Sequence, residues 1–543
     1  MKYYSGLCIT DHDINSEIIV KDMVGLIDGN NINRIIKTES IVCCGSGESK
    51  LELLSAVDNE NFTVIFNGEM NHHNNQSPSK IILTRLQTDT LKQIAETTEG
   101  VFVIIILDKK SRELHFLTDR MGLRTTYFYV DVNRIYWSSE CKSFLSKYIN
   151  SPGINEDAFH EIIQNGHLSG THTLLKNVQL LPAGSILTYN IDSRIISTNT
   201  YWTWNPNTRK SDNFKADIKK YSELVLHQLK QSIQTKMGSR HLQHGHFLSG
   251  GLDSRAILAS MDSAENMMTI TFGAKNSLDH IFAKKISTLA KTNHHFIEID
   301  KNNWLEHRLK AVWWTDGQFN LLHMHGAEAL DVLQQTDIIF SGAMEKLIRG
   351  HDISIFKNFE DLVSRERRFI RNGSSMDDKV THTRFPFYNY ALMDTLKEIP
   401  ADIRKNDIFY YHFLTSCFPK FFNHIPDSNS NIIINSKFYR ARQIKMKILR
   451  KLGLINYAFH NYPEWIRHQR MIVEVILSEN CYLNDLGYGG RVRKYLKNIG
   501  NLNNNDSEGL CMLITLELYL YYIKNPYQVN DYIKYLNKYY NLK

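Results

Sequence analysis

The chain has 543 residues, of which 42% are hydrophobic and 22% charged, and its formal net charge is +7 at pH 7. This length is more than one hydrophobic core usually serves, so we expect two or three domains, and the composition excludes a collagen-like or disordered protein. The longest apolar run, Val101 to Leu107, is far shorter than the roughly 18 to 20 residues of a membrane span, and the first residues form no apolar signal core, so we expect a cytoplasmic protein.

The first 200 residues are predicted to form mostly strands. Phe62 to Phe66 runs into the turn signal Asn67-Gly68, Val101 to Leu107 has the pattern of a buried strand, and Tyr127 to Val130 and Ile135 to Trp137 flank a short polar turn. Consecutive strands joined by such turns indicate hairpins and therefore an antiparallel sheet. We place the first domain at residues 1–204.

The pattern changes after the polar stretch 205–213, which is typical of a linker. A helix is predicted over Ala216 to Met237. It is followed by strands that alternate with helices, including one helix at Leu321 to Gln334; the strands are His246 to Leu248, Met268 to Phe272, His295 to Ile299 and Asp337 to Phe340. Alternation of this kind predicts a parallel sheet covered on both faces. The second domain is placed at 214–543 and is predicted to be mostly helical after about residue 386.

The strongest local motif is the string SGGLDS at Ser249 to Ser254, between a predicted strand and a predicted helix. Gly250 and Gly251 allow a tight turn close to an oxyanion. The serine hydroxyls and the free N–H groups of the helix start form a phosphate nest. Asp253 fits such a nest if Mg²⁺ bridges it to phosphate oxygens. The motif lacks the Gly-Lys-Ser/Thr ending of a Walker A loop.

A second feature is the basic stretch between Lys437 and Lys451, which alternates with apolar residues such as Ile444 and Ile448. This pattern predicts an amphipathic helix. Its charged face is either simply solvated or docks an acidic partner or a polyanion. The overall charge suits an anionic ligand such as a nucleotide, and we expect no nucleic-acid partner.

The SGGLDS string is identified as the loop of ATP pyrophosphatases, in the form that resembles asparagine synthetases. The resemblance extends over most of the chain. Its motifs are Asn67-Gly68-Glu69, Thr118 to Tyr127, Ser138 to Ser143, Leu181 to Gly184, Tyr201-Trp202, Thr271 to Gly273, Asp279 to Ala283, His294-His295, Ser341 to Gly350 and Arg384 to Phe387. The chain thus resembles the glutamine-hydrolysing (class B) asparagine synthetase family, close to the related ligases akin to β-lactam synthetases and lasso-peptide cyclases.

The resemblance implies an α/β protein with two parts. An N-terminal Ntn-hydrolase-like αββα sandwich, the glutaminase part, should precede a parallel-sheet ATP-pyrophosphatase domain of the adenine nucleotide α-hydrolase-like (HUP) type with a helical C-terminal part. Glutaminase chemistry in this family uses an N-terminal cysteine thiol. Here the matching position is Ser5, preceded by Met1 to Tyr4, so we expect a degenerate glutaminase.

In the second domain, the resemblance implies a set of nucleotide-binding residues: Leu248, Ser249, Gly250, Gly251, Leu252, Asp253, Ser254, Phe272, Ser341 and Gly342. Asp253 and Glu345 are the expected metal ligands, and Asp253 and Lys405 the expected catalytic residues. In the family, a lysine lies about two dozen residues past the proline that matches Pro386. Counting on from Pro386 reaches Phe409 to Tyr411, and Lys405 is the lysine nearest to that position. Lys346 replaces an acidic residue that holds aspartate in the family, which argues against aspartate as substrate.

The expected activity is an ATP- and Mg²⁺-dependent, AMP- and pyrophosphate-forming ligase. It would activate a small-molecule or peptide carboxylate as an acyl-adenylate and form an amide with ammonia or a substrate amine. The alternative is a catalytically degenerate nucleotide-binding or scaffold protein of the same family. A homodimer stays open.

Overall fold

The computed structural model describes residues 3–9, 15–28, 32–38, 40–46, 50–51, 53–71, 76–132, 134–239, 241–434, 436–451 and 460–540. Its first part, up to residue 200, contains two six-stranded antiparallel sheets. The strands of this part are β1 (Tyr3–Ile9), β2 (Ile32–Lys37), β3 (Ile41–Ser46), β4 (Leu54–Asp58), β5 (Phe62–Met70), β6 (Gly100–Asp108), β7 (Glu113–Thr118), β8 (Tyr127–Val130), β9 (Arg134–Ser138), β10 (Gln179–Leu180), β11 (Ser185–Asn190) and β12 (Ile196–Thr200). Its helices are α1 (Ser16–Asp28), α2 (Pro78–Arg85), α3 (Leu91–Thr97) and α4 (Glu156–Asn165).

The two sheets pack face to face. Their strand orders are β10-β8-β9-β1-β3-β2 and β12-β11-β7-β6-β5-β4. Side chains from both inner faces, among them Trp137, Phe116 and Ile105, form one buried cluster, while α1 covers the first sheet and α2 the second. The predicted antiparallel sheet and the αββα sandwich are therefore confirmed.

The hairpin between β6 and β7 shows why the local sequence folds in this way. β6 consists almost entirely of buried aliphatic residues, so it takes a central position in its sheet. At its end the Asp108 carboxylate accepts hydrogen bonds from the backbone N–H groups of Lys110 (2.9 Å) and Ser111 (3.1 Å) and closes the turn.

The second part has a five-stranded parallel sheet with helices on its faces. Its elements start with α5 (Phe214–Met237), β13 (His244–Phe247), α6 (Leu252–Ser260), β14 (Met268–Gly273), α7 (Leu278–Ala290), β15 (Asn293–Glu298), α8 (Glu306–Trp314), α9 (Leu330–Leu333), β16 (Ile338–Phe340), α10 (Phe359–Ser364) and β17 (Thr383–Arg384). The strand order is β15-β14-β13-β16-β17, and every pairing is parallel. The predicted parallel sheet is confirmed, and β17, only two residues long, adds a strand that the sequence pattern did not indicate.

After β17 the described residues form helices and connecting turns. These helices are α11 (Tyr390–Glu398), α12 (Ala401–Arg404), α13 (Ile408–Cys417), α14 (Pro419–Phe422), α15 (Tyr439–Lys451), α16 (Tyr462–His468), α17 (Arg470–Ile476), α18 (Gly489–Lys497), α19 (Asn504–Lys524) and α20 (Val529–Asn537). Among the helices of the described residues, none combines the length and the apolar content that a membrane crossing needs.

The helix predicted at Leu321 to Gln334 is wrong for most of its length. Two 3₁₀ turns, Leu321–His323 and His325–Ala329, precede the single turn of α9. The guanidinium of Arg308 donates hydrogen bonds to the carbonyl oxygens of Leu321 (3.1 Å) and Leu322 (2.9 Å). Because these carbonyls bond to a side chain, they are diverted from a regular α-helical ladder.

The two parts meet through buried charges. Lys142 is fully buried and pairs with Glu140 in its own part and with Asp316 (2.9 Å) across the interface. Lys379 reaches back to Glu140 at 2.8 Å. Such groups are tolerated only when paired.

Arginines of a π-helical segment, Arg365–Arg371, extend this interface. Arg367 donates to the carbonyl oxygens of Gly122 (2.9 Å) and Leu181 (2.7 Å), and Arg371 donates to that of Leu123 (3.0 Å). One large apolar cluster also contains residues of α1 together with residues of α19. The division at 1–204 and 214–543 stays a prediction, because the two parts share buried core and polar contacts.

Candidate functional site

The SGGLDS loop lies where β13 ends and α6 begins, at the carboxyl edge of the parallel sheet. The hydroxyl oxygen of Ser254 accepts a hydrogen bond from the backbone N–H of Ser249 (3.0 Å) and lies 3.1 Å from the hydroxyl oxygen of Ser249. The N–H of Gly250 donates to Asp279 at 3.0 Å. A Cβ atom on Gly250 would lie 2.9 Å from Cβ of Ser428, so this turn has room only for glycine.

The second loop, Ser341 to Gly350, packs directly on the first. A Cβ atom on Gly342 would lie 2.6 Å from the backbone nitrogen of Ser254, so only glycine permits this approach. The two loops border a cavity of about 360 Å³. It is lined by Phe247, Leu248, Ser249, Asp253, Ser254, Ile270, Thr271, Phe272, Asp279 and Gly342. The first turn of α6 therefore starts at an open space, where its N–H groups favour an anion.

The structure brings six of the ten predicted nucleotide-binding residues into the lining of this cavity: Leu248, Ser249, Asp253, Ser254, Phe272 and Gly342. Gly250 and Gly251 form the turn behind it. Leu252 points into the core beneath α6, and Ser341 accepts a hydrogen bond from the N–H of Ala343 at 3.3 Å. The binding role of all ten stays a prediction.

Asp253 is held by two side chains that sequence reasoning missed. Both of its carboxylate oxygens lie 3.1 Å from Nη1 of Arg349, and the Tyr410 hydroxyl donates to Oδ1 at 2.8 Å. About a quarter of the Asp253 side chain is exposed. Burial raises the pKa of Asp253 to about 6, although the charge of Arg349 acts in the opposite direction.

Arg349 itself is fixed by a second carboxylate. Its Nε donates to Asp407 at 2.7 Å, and His351 lies 3.3 Å from the same oxygen. Asp253 and Asp407 raise the pKa of Arg349 despite its burial, so this guanidinium stays charged. A fixed cation therefore sits beside the loop carboxylate.

The negative charge of Glu345 adds to the effect of burial in raising the pKa of Asp253. Glu345 forms an ion pair with Lys346, and the two cations Lys346 and Arg349 lower the pKa of Glu345 although its burial acts in the opposite direction. Glu366 lies near this pair and is almost fully buried, and neither of its carboxylate oxygens has a hydrogen-bond partner in the part of the chain that the structure describes. Burial and the charge of Glu345 raise the pKa of Glu366 to about 8.

Lys405 has an exposed side chain, whereas its neighbour Arg404 is fully buried and pairs with Asp352 at 2.7 Å. The cation in contact with Asp253 is Arg349, and the family position sought near Phe409 to Tyr411 supplies the Tyr410 hydroxyl. The catalytic role of Lys405 stays a prediction. Arg349 could have been found as the basic residue that ends the second loop.

The expected glutaminase position is enclosed. Ser5 lies inside β1 with its hydroxyl 2.9 Å from that of Ser138, and it is fully buried. The two donors of the oxyanion-hole motif, the amide of Asn67 and the N–H of Gly68, both donate to the carbonyl oxygen of Leu53, at 3.1 and 2.7 Å.

The comparisons agree with this two-part architecture. A family model described as glutamine amidotransferase domain matches residues 58–202, and one described as asparagine synthase matches residues 224–324. The molecule is thus an α/β protein in which a glutamine amidotransferase-like domain is followed by a parallel-sheet domain whose first part is similar to asparagine synthase. The second match includes the SGGLDS loop and ends before Ser341.

Curated relatives point the same way. The chain is 27% identical over 281 residues to a putative glutamine-hydrolyzing asparagine synthetase 2 of Methanocaldococcus jannaschii. This match covers 48% of this chain and 53% of that protein. It is 26% identical over 205 residues to glutamine-hydrolyzing asparagine synthetase 2 of Bacillus subtilis. This match covers 36% of this chain and 27% of that protein. The chain is therefore similar to asparagine synthetases, and its matches span about half or less of these relatives' lengths.

Among solved structures, glutamine phosphoribosylpyrophosphate amidotransferase from B. subtilis, complexed with ADP and GMP, covers 55% of this chain and 81% of its own. The sequence identity is 8% and the TM-score 0.27, which is too low to support a fold assignment.

Proposed function

We propose that this protein is an ATP-dependent carbon–nitrogen ligase that activates a carboxylate as an acyl-adenylate. The observation that carries the proposal is the SGGLDS loop at the open start of α6, with Asp253 facing a cavity of about 360 Å³. A carboxylate oxygen of the substrate attacks the α-phosphorus of ATP, and the bond to the bridging oxygen breaks to release pyrophosphate. Ammonia or a substrate amine then attacks the acyl carbon, loses a proton, and displaces AMP.

This chain's residues provide three means of stabilising the departing pyrophosphate. The N–H groups at the start of α6 and the hydroxyls of Ser249 and Ser254 lie at the cavity, where they can donate hydrogen bonds to phosphate oxygens. Arg349 supplies a fixed positive charge beside them. Electrostatic stabilisation of this kind is worth several kcal/mol when the groups are pre-positioned.

The acidic residues of the site fit Mg²⁺ that arrives with a nucleotide. Asp253 and Glu345 would hold it, since Mg²⁺ usually takes one or two protein carboxylates together with substrate phosphates. The described residues contain no group of three or more His, Cys, Asp or Glu that could hold a metal alone, which suits a shared site of this type. When bound, the ion supplies neutralisation of phosphate charge.

We propose further that glutamine hydrolysis is lost. Ser5 has no thiol and is shielded by the hydroxyls of Ser138 and Ser143. The donors of Asn67 and Gly68 are already engaged by the Leu53 carbonyl, so they are not available to a developing oxyanion. The nitrogen donor is then free ammonia or a substrate amine.

The carboxylate substrate is proposed to differ from free aspartate. Lys346 stands where the resemblance places an acidic residue for the aspartate substrate, and its pairing with Glu345 keeps a cation there. A small molecule or a peptide carboxylate remains the proposed substrate class, and a cytoplasmic location remains a prediction.

The test is isotope exchange between pyrophosphate and ATP, run with panels of candidate acids and with Mg²⁺. Acid-dependent exchange that disappears in Asp253→Ala, together with AMP formation when ammonium or an amine is added, supports the ligase. Exchange that is unaffected by Asp253→Ala contradicts it. Glutamate release from glutamine, measured in the same samples, should stay at background.

The second candidate is a protein that binds a nucleotide without turnover. It is favoured by the pairing of both acidic residues, since Asp253 is held by Arg349 and Glu345 by Lys346. Calorimetry with Mg²⁺ and a non-hydrolysable ATP analogue separates the candidates. Binding without any exchange across the acid panel favours the second, whereas acid-dependent exchange eliminates it.

A further inference from the structure

Helix α15 and the two residues before it form a surface that the proposed chemistry does not use. We call it the basic ridge, defined by exposed apolar residues and exposed cations: Phe438, Ile444 and Ile448, with Lys437, Arg440, Lys445 and Lys447. The apolar members are 71%, 62% and 52% exposed, which is unusual for three large side chains within eleven positions.

The charge of this segment has one sign. Between residues 428 and 463 the sequence contains seven Lys and Arg and no Asp or Glu. None of the four cations of the basic ridge forms an ion pair with a carboxylate of the described residues. A binding partner of the basic ridge must therefore carry negative charge.

The helix turns one side to the protein and the other to solvent. Met446 is fully buried and Tyr439 is nearly so, and Tyr439 donates to Asp427 at 3.2 Å. Ile444 and Ile448 are four residues apart, so they lie on one face, about half a turn from Met446. Positions 440 and 447 fall on one side of this pair and position 445 on the other.

The shape of the surface selects among anionic partners. An outward helix ridge with aliphatic residues between lysines and arginines fits a lipid interface, where apolar side chains enter the acyl boundary and long cations reach the headgroups. An acidic peptide would need a groove for its own apolar side chains, and a hydrophilic polyanion would leave Ile444 and Ile448 in water.

We propose that the basic ridge docks the protein peripherally on anionic lipid bilayers. The inference goes beyond the ligase proposal and does not depend on it. Docking on a bilayer would also affect the surroundings of the SGGLDS loop. Arg440 of the basic ridge lies 3.4 Å from the carbonyl oxygen of Asn406, and the next residue, Asp407, accepts a hydrogen bond from Arg349. Docking would hold the loop region close to the membrane surface.

The experiment is flotation of the full chain with vesicles of phosphatidylcholine alone or with 30% phosphatidylglycerol, at 0.05 M and 1 M salt. Binding is expected only with the anionic lipid and at low salt, since 1 M salt screens charges beyond about 3 Å. Lys445→Gln/Lys447→Gln should lower the partition coefficient about 30-fold, because each surface cation contributes about 1 kcal/mol. Ile444→Ser/Ile448→Ser should lower it about tenfold or more.

The matched control is Lys494→Gln/Lys497→Gln on α18, which removes two exposed lysines elsewhere and should change partitioning less than about twofold. Thermal unfolding and binding of an ATP analogue verify that each variant is folded. The proposal is overturned if the wild-type chain does not float with anionic vesicles, or if the control pair matters as much as the ridge pair. Loss with the lysine pair but not with the isoleucine pair overturns the insertion of Ile444 and Ile448 into the bilayer, because docking would then depend on charge alone. Capture by polyglutamate with no vesicle binding overturns it in favour of an acidic protein partner.

Discussion

Replacing Asp253 by asparagine should stabilise the protein at neutral pH while removing acid-dependent pyrophosphate exchange. The pKa of this carboxyl is about 6 in the folded protein, against an ordinary value of 3.8. The folded state therefore binds the proton more tightly than the unfolded state. The stability that comes from this tighter proton binding is fully present below pH 3.8 and is lost as the pH rises through 6.

The size of the effect follows from the two pKa values. A difference of about two units corresponds to about 3 kcal/mol at pH 7.5, because each unit is about 1.4 kcal/mol, and to about half of that at pH 5. Asparagine keeps the shape and carries no charge, so it avoids this cost. For a domain of roughly 300 residues the gain is about 4 °C in Tm.

The assay is thermal unfolding at pH 7.5 and pH 5, with Asp407→Asn as the control. Asp407 has its pKa lowered by His351 and Arg349 in spite of its burial, so its asparagine variant should lose stability at pH 7.5. A Tm of Asp253→Asn equal to or below that of the wild type at pH 7.5 would refute the reasoning. A gain of the same size at both pH values would refute it as well.

Three further predictions address the cations, the loop contact and the interface. Arg349→Gln should reduce pyrophosphate exchange by about 100-fold or more, whereas Lys405→Gln should change it less than about threefold, and a reversed ranking in the exchange assay would assign the cationic role to the lysine. Gly342→Ala should abolish exchange because its methyl group meets the backbone of the first loop, while Gly490→Ala, which meets nothing within 4 Å, should be neutral in the same assay. Burial raises the pKa of Glu69, but its arginine and histidine partners across the interface hold it well below the ordinary value, so Glu69→Gln should lower stability by about 2–3 kcal/mol at pH 7.5. This deficit should shrink in unfolding measurements at pH 4, and a deficit that is constant with pH would contradict the ion-pair explanation.

The fold was predictable because its signals are local. The apolar runs of β6 and β7 on either side of a polar turn specify a hairpin, and the strands from Met268 and Asp337 alternate with helices in the order of a parallel sheet. The SGGLDS loop was equally readable, since its turn and the following helix start are encoded within six residues.

The side chains around Asp253 could not be predicted in this way. Arg349 and Tyr410 contact it from 96 and 157 residues further along the chain. The chain also turns sharply just after Arg404 and Lys405, where Asn406 and Asp407 adopt left-handed backbone conformations with φ of 56° and 61°. Sequence periodicity carries no signal for such a turn, nor for the burial of Arg404 beside an exposed Lys405.

The shared interface has a consequence for how the chain can be divided. Cutting after residue 204 would leave Arg367, Arg371 and Asp316 without their partners across the boundary, and would open an apolar cluster to water. The second half expressed alone should therefore be insoluble. Whatever chemistry the first part retains, its carbonyl groups, its buried lysine and its apolar side chains complete the packing of the second part.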